Sequence, residues 1–255
     1  MKVTVCELPN DPAPLIQAWE GLVGHTHARE SDVVLLPEMP FHPWPAWTKD
    51  VDPTEWDVAV AAHDAWIGRL DELGAPIVIG SRPVVEDGRR LNEAFVWSDG
   101  EYRGGHRKWY LPNEDGFWEA TWYDRGDTDF STTPTRHGPV GLLICTEVWF
   151  TRHARTQGQE GAWLIANPRA TEYASREKWL AGGITAAVMA GAFCLSSNRS
   201  GLDGTGIHWG GYGWVVDPDG KVLATTSEDE PFATVDIDLL DAERAKVTYP
   251  RYVED

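Results

Sequence analysis

Short apolar runs alternate with longer segments of helical periodicity along this chain, and that alternation limits the fold more than any other feature. Strands are predicted at 3–6, 32–36, 77–81, 140–145, 162–166, 193–197, 212–216, 222–226 and 232–237, and helices at 12–28, 54–73, 148–157, 175–192 and 239–245. Such alternation is typical of a mixed sheet with helices on its outside, because each element must bury one apolar face. We therefore expect an α/β fold.

Turn signals and one long loop interrupt this alternation. Asp87-Gly88 and Asp99-Gly100 each separate two β-rich runs, as the centre of a two-residue hairpin turn does. Thr54 is placed at the N-cap of the second helix, and Gly74 lies just past its end. Residues 109–135 are rich in Pro, Gly, Asp and Trp without a clear period. A loop of that length inside a compact domain is usually functional.

Composition and charge narrow the class of protein. The chain has 255 residues, of which 42% are hydrophobic, and this predicts a globular fold rather than disorder. It carries 40 acidic and 22 basic residues, a formal net charge of −18. Phosphate backbones and anionic lipids would repel such a chain, so neither nucleic acid nor a membrane surface is an expected partner. No linker rich in Pro, Gly or Ser divides the sequence, so residues 1–255 are predicted to form a single domain.

The cysteines indicate a reducing compartment. Cys6, Cys145 and Cys194 are an odd number without a CxxC pair, so neither a disulfide framework nor a zinc ribbon is expected. The N-terminal sequence becomes polar too early for a signal peptide. We expect a cytoplasmic location and no metal or other cofactor.

Three chemically active side chains stand at the ends of predicted strands, where α/β folds place functional groups. Glu38 follows the strand at 32–36 and is held between two prolines, which suits a general base. Lys108 precedes the long aromatic loop and could supply a fixed positive charge beside an oxyanion. Cys145 lies between a buried strand and a helix, so its sulfur is on a turn, and the helix start favours the thiolate.

Each of these residues also has a purely structural interpretation. Glu38 could be a solvated loop acid, Lys108 a solvated lysine on an edge strand, and Cys145 a buried inert cysteine. The three together nevertheless supply the base, the cation and the thiol that nucleophilic acyl transfer requires.

In this set and order the sequence resembles the nitrilase, or carbon–nitrogen hydrolase, superfamily. The matching motifs are Leu35-Leu36-Pro37-Glu38, Lys108 with Leu111-Pro112, Leu142-Leu143-Ile144-Cys145, Asn198-Arg199-Ser200-Gly201, Gly210-Gly211-Tyr212-Gly213 and Val216-Asp217-Pro218-Asp219-Gly220. The resemblance implies a four-layer α-β-β-α sandwich of two mixed sheets flanked by helices, usually assembled as a homodimer or a higher homo-oligomer.

The resemblance also implies roles for the residues. Glu38 would be the general base, Cys145 the nucleophile, and Lys108 the oxyanion partner together with the backbone N–H of Thr146. A second glutamate follows the lysine in many members, and its role is carried to Glu119. The loop alignment leaves Glu114 as a competing candidate.

Departures from the family pattern bear on the substrate. Thr146 stands where true nitrilases usually have tryptophan, and the chain lacks their longer tail, so an amidase or carbamoylase is favoured over a nitrilase. A small linear amide or an N-carbamoyl compound is the expected substrate. The alternatives are a nitrilase that converts a nitrile to an acid and ammonia, and a catalytically idle binding protein with this fold. Five residues near the site in sequence are expected to contact the substrate: Trp109, Trp118, Trp149, Asn167 and Tyr173. The alternative for each tryptophan is that it fills the core or a dimer contact.

Overall fold

The computed structural model describes residues 1–253; the predicted domain extends to Asp255, and its last two residues lie outside the described range. Its helices are α1 (Pro12–Arg29), α2 (Pro53–Ile67), α3 (Glu119–Trp122), α4 (Thr151–Gln159), α5 (Arg176–Ala190) and α6 (Leu239–Ala245). Its strands are β1 (Lys2–Pro9), β2 (Val33–Leu35), β3 (Ile77–Glu86), β4 (Arg89–Ser98), β5 (Glu101–Arg107), β6 (Thr133–Thr135), β7 (Gly138–Leu142), β8 (Leu164–Pro168), β9 (Phe193–Leu202), β10 (His208–Gly210), β11 (Trp214–Val216), β12 (Val222–Thr225) and β13 (Phe232–Asp236). The expected α/β class is therefore confirmed.

The strands form one large mixed sheet. Its main path runs β5-β4-β3-β2-β1-β9-β8-β7-β6. Strand β1 joins the two halves: its first part pairs in parallel with β2, and its last residues, Glu7 to Pro9, pair in parallel with β9. The central connections are parallel and the hairpins at the edges are antiparallel.

A single apolar core lies between the two halves of this sheet. Val3 and Ile79 from the first half share one buried cluster with Leu142 and Leu195 from the second. Alternate residues of each strand point the other way, because successive side chains of a strand face opposite sides. On those outer sides, α1 packs on the first half, and α4 and α5 pack on the second.

Both predicted hairpin turns are present. Asp87 and Gly88 have φ angles of 52° and 76°, and Asp99 and Gly100 have 52° and 88°. Positive φ at both central residues gives a turn whose twist matches the strands, which explains the Asp-Gly sequence. Strand β3 extends beyond the predicted end at residue 81, because its second half has no apolar pattern from which a strand could be predicted. That half pairs with β4 residue by residue as far as Glu86 and Arg89.

The second predicted helix is shorter than expected. The helix predicted at 54–73 ends at Ile67, and residues Leu70–Leu73 form a separate 3-10 turn. Its N-cap is Asp52 rather than Thr54, because the Asp52 side chain accepts a hydrogen bond from the Thr54 N–H at 2.8 Å. Gly74 lies past the end as expected, with a φ of 64°.

The segment around the cysteine is also divided differently. Strand β7 ends at Leu142, and a 3-10 helix, Cys145–Trp149, precedes α4. Glu38, Lys108 and Cys145 thus follow β2, β5 and β7. Among residues 1–253, no helix is both long and apolar enough to cross a membrane.

Candidate active site

The loop that carries Glu38 is held by buried hydrogen bonds. The Glu38 N–H donates to the Arg169 carbonyl at 3.1 Å. The fully buried guanidinium of Arg199 donates to the carbonyl oxygens of Glu38 and Met39. Met39 has a φ of 42°, so the chain turns sharply directly after the glutamate. The carboxylate is therefore fixed in position by the backbone on both sides of it.

Lys108 lies between two carboxylates in the interior. Its Nζ is 2.7 Å from Glu38 Oε1 and 2.6 Å from Glu119 Oε2, and its side chain is fully buried. Burial alone lowers the pKa of a lysine, but the carboxylates of Glu119 and Glu38 outweigh it and raise the pKa of Lys108 above its ordinary value. The residue is therefore an ammonium cation.

Cys145 is the first residue of a one-turn 3-10 helix and adopts a φ of 46°. Its sulfur lies 3.9 Å from the Ala170 carbonyl oxygen. Burial, reinforced by the Glu38 carboxylate and opposed by Lys108, raises the pKa of the Cys145 thiol. The expectation that the helix start favours a thiolate is therefore wrong for the resting protein, and the thiol needs a base to become nucleophilic.

Glu119, rather than Glu114, contacts the lysine. Glu119 is the first residue of α3, is 1% exposed, and accepts a hydrogen bond from the Tyr123 hydroxyl. Burial raises the pKa of Glu119 to about 7, although Lys108 acts in the opposite direction. Glu114 is exposed.

Two carboxylate oxygens remain without a hydrogen-bond partner among the described residues. Oε1 of Glu38 accepts from Lys108 and from the Asn92 amide at 2.7 Å, but Oε2 is unpartnered. Oε1 of Glu119 is buried and unpartnered as well. Buried polar atoms are normally paired, so these two oxygens are available to a bound molecule or to the thiol proton.

A cavity of about 140 Å³ reaches the sulfur. It is lined by Pro112, Glu114, Phe117, Glu119, Cys145, Thr146, Ala170, Thr171, Glu172, Ser175, Lys178 and Trp179. Larger cavities of about 410 and 840 Å³ open elsewhere, and neither is lined by the cysteine. Only small molecules fit at the sulfur. Besides Glu119, three charged side chains line the cavity: Glu114, Glu172 and Lys178.

The sequence profile described as "Carbon-nitrogen hydrolase" matches residues 2–247 of the chain. This protein belongs to the carbon–nitrogen hydrolase family. The profile covers nearly the whole chain, including all three strand ends and α3.

Individual relatives of this carbon–nitrogen hydrolase are distant. The chain is 25% identical over 193 residues to the N-carbamoylputrescine amidase of Solanum tuberosum. This alignment covers 68% of the chain and 63% of that protein. It thus spans about 63% of the length of that relative. It is 25% identical over 267 residues to the citrullinase of Francisella tularensis, covering 96% and 92%. Its fold is similar to that of a carbon–nitrogen hydrolase from Helicobacter pylori G27, with a TM-score of 0.89, 21% identity, and coverage of 100% and 95%.

Five side chains predicted to contact the substrate of this carbon–nitrogen hydrolase do not line the cavity: Trp109, Trp118, Trp149, Asn167 and Tyr173. Asn167 is fully buried and donates to the carbonyl oxygens of Leu143 and Cys145, so it holds the backbone of the cysteine turn. Trp149 is 37% exposed and packs against Trp179.

The other three aromatic residues point toward other parts of the molecule. Trp118 packs with a separate apolar cluster, and its backbone N–H donates to the Ala46 carbonyl. Trp109 lies under the Arg125 guanidinium, and Tyr173 stacks on His208. Nearness in sequence to the catalytic candidates therefore did not predict which aromatic residues line the cavity: Phe117 and Trp179 do.

Three residues that contact the site were given no role from the sequence, although Arg199 belongs to one of the matching motifs. Asn92 binds Glu38, Tyr123 binds Glu119, and Arg199 holds the Glu38 loop. Asn92 is a polar residue in the apolar part of β4, and that mismatch is the signal that could have found it. Among the described residues, no cluster of three or more His, Cys, Asp or Glu side chains could hold a metal ion.

Proposed function

We propose that this carbon–nitrogen hydrolase cleaves a small linear amide or an N-carbamoyl compound through a thioester on Cys145. The observation that carries this proposal is the lysine between two buried carboxylates beside a cavity that ends at a cysteine sulfur. The relatives named amidase and citrullinase support it, and so does the small volume of the cavity.

In the first half of the reaction, Oε2 of Glu38 takes the proton of the Cys145 thiol. The sulfur attacks the amide carbon, a C–S bond forms, and the carbonyl oxygen becomes an oxyanion. The Lys108 ammonium and the Thr146 backbone N–H stabilise that oxyanion. The C–N bond then breaks as Glu38 returns its proton to the nitrogen, and ammonia or an amine leaves.

In the second half, water gives a proton to Glu38 and attacks the thioester carbon. The C–S bond breaks, the acid leaves, and the sulfur recovers its proton from Glu38. Glu119 keeps Lys108 in place and presents its free oxygen to the substrate nitrogen or to water. Because the thiol is protonated at rest, the base at Glu38 is needed for every turnover.

The direct test is ammonia release from paired amides, N-carbamoyl compounds and nitriles, with charged and uncharged members because the cavity lining is charged. Mass spectrometry should detect a covalent acyl group on Cys145. Cys145→Ala should abolish release, and Cys194→Ala, a matched change at another buried free cysteine, should keep it. Release from nitriles alone would indicate a nitrilase, and release by Cys145→Ala would overturn the proposal.

A labelling experiment separates an enzyme from an idle protein of the same fold. Iodoacetamide should modify Cys145 and spare Cys6 and Cys194, because the cavity reaches the Cys145 sulfur, whereas Cys6 and Cys194 are fully buried and do not line it. Glu38→Gln and Lys108→Met should each lower kcat by roughly 10²–10³-fold, the range typical of proton-transfer and oxyanion groups. Unchanged labelling in both variants would support an idle protein.

We also infer that residues 1–255 form a single domain with the four-layer α-β-β-α arrangement. The core shared by both sheet halves and the helices on their outer sides support this.

A homodimer or a higher homo-oligomer is proposed from the resemblance and is tested by light scattering. A cytoplasmic location is proposed because the three cysteines are free, which suits a reducing compartment.

A further inference from the structure

One buried carboxylate, Glu147, connects the lysine segment to the cysteine segment. Its Oε1 accepts from the Trp109 N–H at 2.8 Å, directly after Lys108 in the chain. Its Oε2 accepts from the Ile144 N–H at 2.8 Å, directly before Cys145. Glu147 is fully buried, so these bonds do not compete with bulk water. A single side chain thus bonds the backbone next to both groups.

A histidine completes the arrangement. His106 Nε2 lies 2.8 Å from Glu147 Oε2, and Nδ1 lies 3.0 Å from the Asp129 carbonyl oxygen. A carbonyl cannot donate, so Nδ1 carries a hydrogen. Both oxygens of Glu147 already accept a backbone N–H, so Nε2 is the donor in its contact with Oε2. His106 is therefore an imidazolium paired with a buried carboxylate.

The groups around this imidazolium agree with that assignment. Burial works against its charge, but the Glu147 carboxylate, the Asp129 carbonyl and the Asp127 carboxylate together raise the pKa of His106. The Asp129 carboxylate is also close enough to interact with it. His153, from α4, faces it across the ring of Phe130.

We infer that the His106–Glu147 ion pair is a positioning device that fixes the Lys108 ammonium relative to the Cys145 sulfur. This inference rests on the proposed function. Residues 108–109 and residues 144–145 follow the ends of two different strands. Glu147 accepts a backbone hydrogen bond from each of these two segments. The imidazolium compensates the carboxylate charge there. Reacting groups displaced by about 1 Å can lose roughly 100-fold in rate, so a loosened link should lower kcat.

The variant test uses His106→Gln, which can still donate to Glu147 but carries no charge. We expect kcat to fall 10–100-fold with KM within threefold, because the substrate cavity itself is unchanged. His25→Gln is the matched control, since it makes the same change at a histidine that hydrogen-bonds Thr234 at 2.8 Å, away from the site. It should keep kcat. An unchanged kcat in His106→Gln, or a loss explained by KM alone, would overturn the inference.

A second measurement uses the wild-type protein, so it tests the positioning role of His106 even if His106→Gln does not fold. Nitrogen-15 NMR of the imidazole should find both ring nitrogens of His106 protonated at pH 7. As pH rises, kcat should fall with the same midpoint as the His106 titration while KM stays constant. A neutral imidazole at pH 7, or a kcat that does not change across the titration, would refute the positioning role.

The two proposals fail in different ways. If Cys145→Ala still hydrolyses amides, the proposed function is wrong. If Cys145→Ala is inactive while His106→Gln retains the wild-type kcat, only the positioning role is wrong.

Discussion

At the scale of single residues, the site is governed by an imbalance of buried charge. Glu38 and Glu119 share one ammonium, Lys108, and all three side chains are nearly inaccessible to water. Two carboxylates and one cation leave a net negative charge in a medium of low dielectric, which favours protonation of one acid. Glu119 has the raised pKa of about 7. The imbalance thus falls on Glu119, while Glu38, which accepts from Lys108 and Asn92 through Oε1, keeps Oε2 free for the thiol proton.

The first prediction concerns Glu119→Gln. We expect kcat to fall by roughly 100-fold, since Lys108 loses one partner and the site loses a proton carrier. In the wild type, kcat should decline as pH drops below about 7, when the Glu119 carboxylate becomes protonated. That inflection should be missing in Glu119→Gln. The pH dependence of kcat in both proteins checks this, and an inflection near pH 7 retained in the variant would contradict it.

The second prediction concerns a buried histidine outside the site. His63 donates from Nδ1 to the Ala59 carbonyl and accepts at Nε2 from the Phe41 N–H, so it is neutral when folded. Burial lowers the pKa of His63 from 6.5 to about 3. The unfolded chain therefore binds a proton below pH 6.5 that the folded chain does not, and stability falls as pH drops toward 3.

When the pH falls from 7.5 to 4, proton binding by His63 in the unfolded chain should lower the free energy of unfolding by about 3 kcal/mol. His63→Gln can form both hydrogen bonds without titrating, so it should lose about 3 kcal/mol less than the wild type over that range. Urea unfolding at the two pH values is the measurement. His137→Gln, at an exposed histidine, should lose as much as the wild type; equal losses in all three proteins would disprove the role of His63.

At the scale of elements, turn chemistry was easier to predict than element length. The Asp-Gly pairs at both hairpins need positive φ, which few other residues adopt at low cost. The end of α2 at Ile67 was missed because the apolar spacing continues into the 3-10 turn at Leu70–Leu73. Local periodicity does not distinguish one helix from two that meet at an angle.

The third prediction compares two glycines inside helices. Gly24 in α1 has open space where a Cβ would stand, whereas a Cβ on Gly183 in α5 would lie 2.6 Å from Trp214 Nε1. Gly24→Ala should raise the free energy of unfolding by about 0.5–1 kcal/mol through helix propensity. Gly183→Ala should lower it by about 1–3 kcal/mol through overpacking. Denaturant unfolding checks both, and the same sign for the two changes would contradict the packing of α5 on Trp214.

At the scale of the whole molecule, one core holds the two halves of the sheet together. Val3 and Ile79 pack in the same cluster as Leu142 and Leu195, so the two halves of the sheet that carry Glu38, Lys108 and Cys145 share one apolar core. Electrostatic repulsion acts against this packing, because the chain has a formal net charge of −18. Repulsion among those charges opposes the compact state.

The fourth prediction follows from that repulsion. Raising NaCl from 10 mM to 500 mM shortens the distance over which charges interact, so the melting temperature at pH 7.5 should rise. An increase of about 1 kcal/mol corresponds to roughly 2–4 °C for a chain of this size. At pH 5, where carboxylates begin to take up protons, the increase should be smaller. A melting temperature that falls with salt at pH 7.5 would indicate that surface ion pairs outweigh the net repulsion.

The sequence by itself determined the α/β class, the hairpin turns and the identity of the three strand-end residues. These depend on local properties: periodicity sets the element type, and φ preferences set the turns. The tertiary structure alone decided which glutamate contacts Lys108, that Asn92 and Arg199 hold Glu38, and which aromatic residues line the cavity. Those contacts join residues far apart in the chain, and their geometry depends on how the sheet halves pack, which no local pattern encodes.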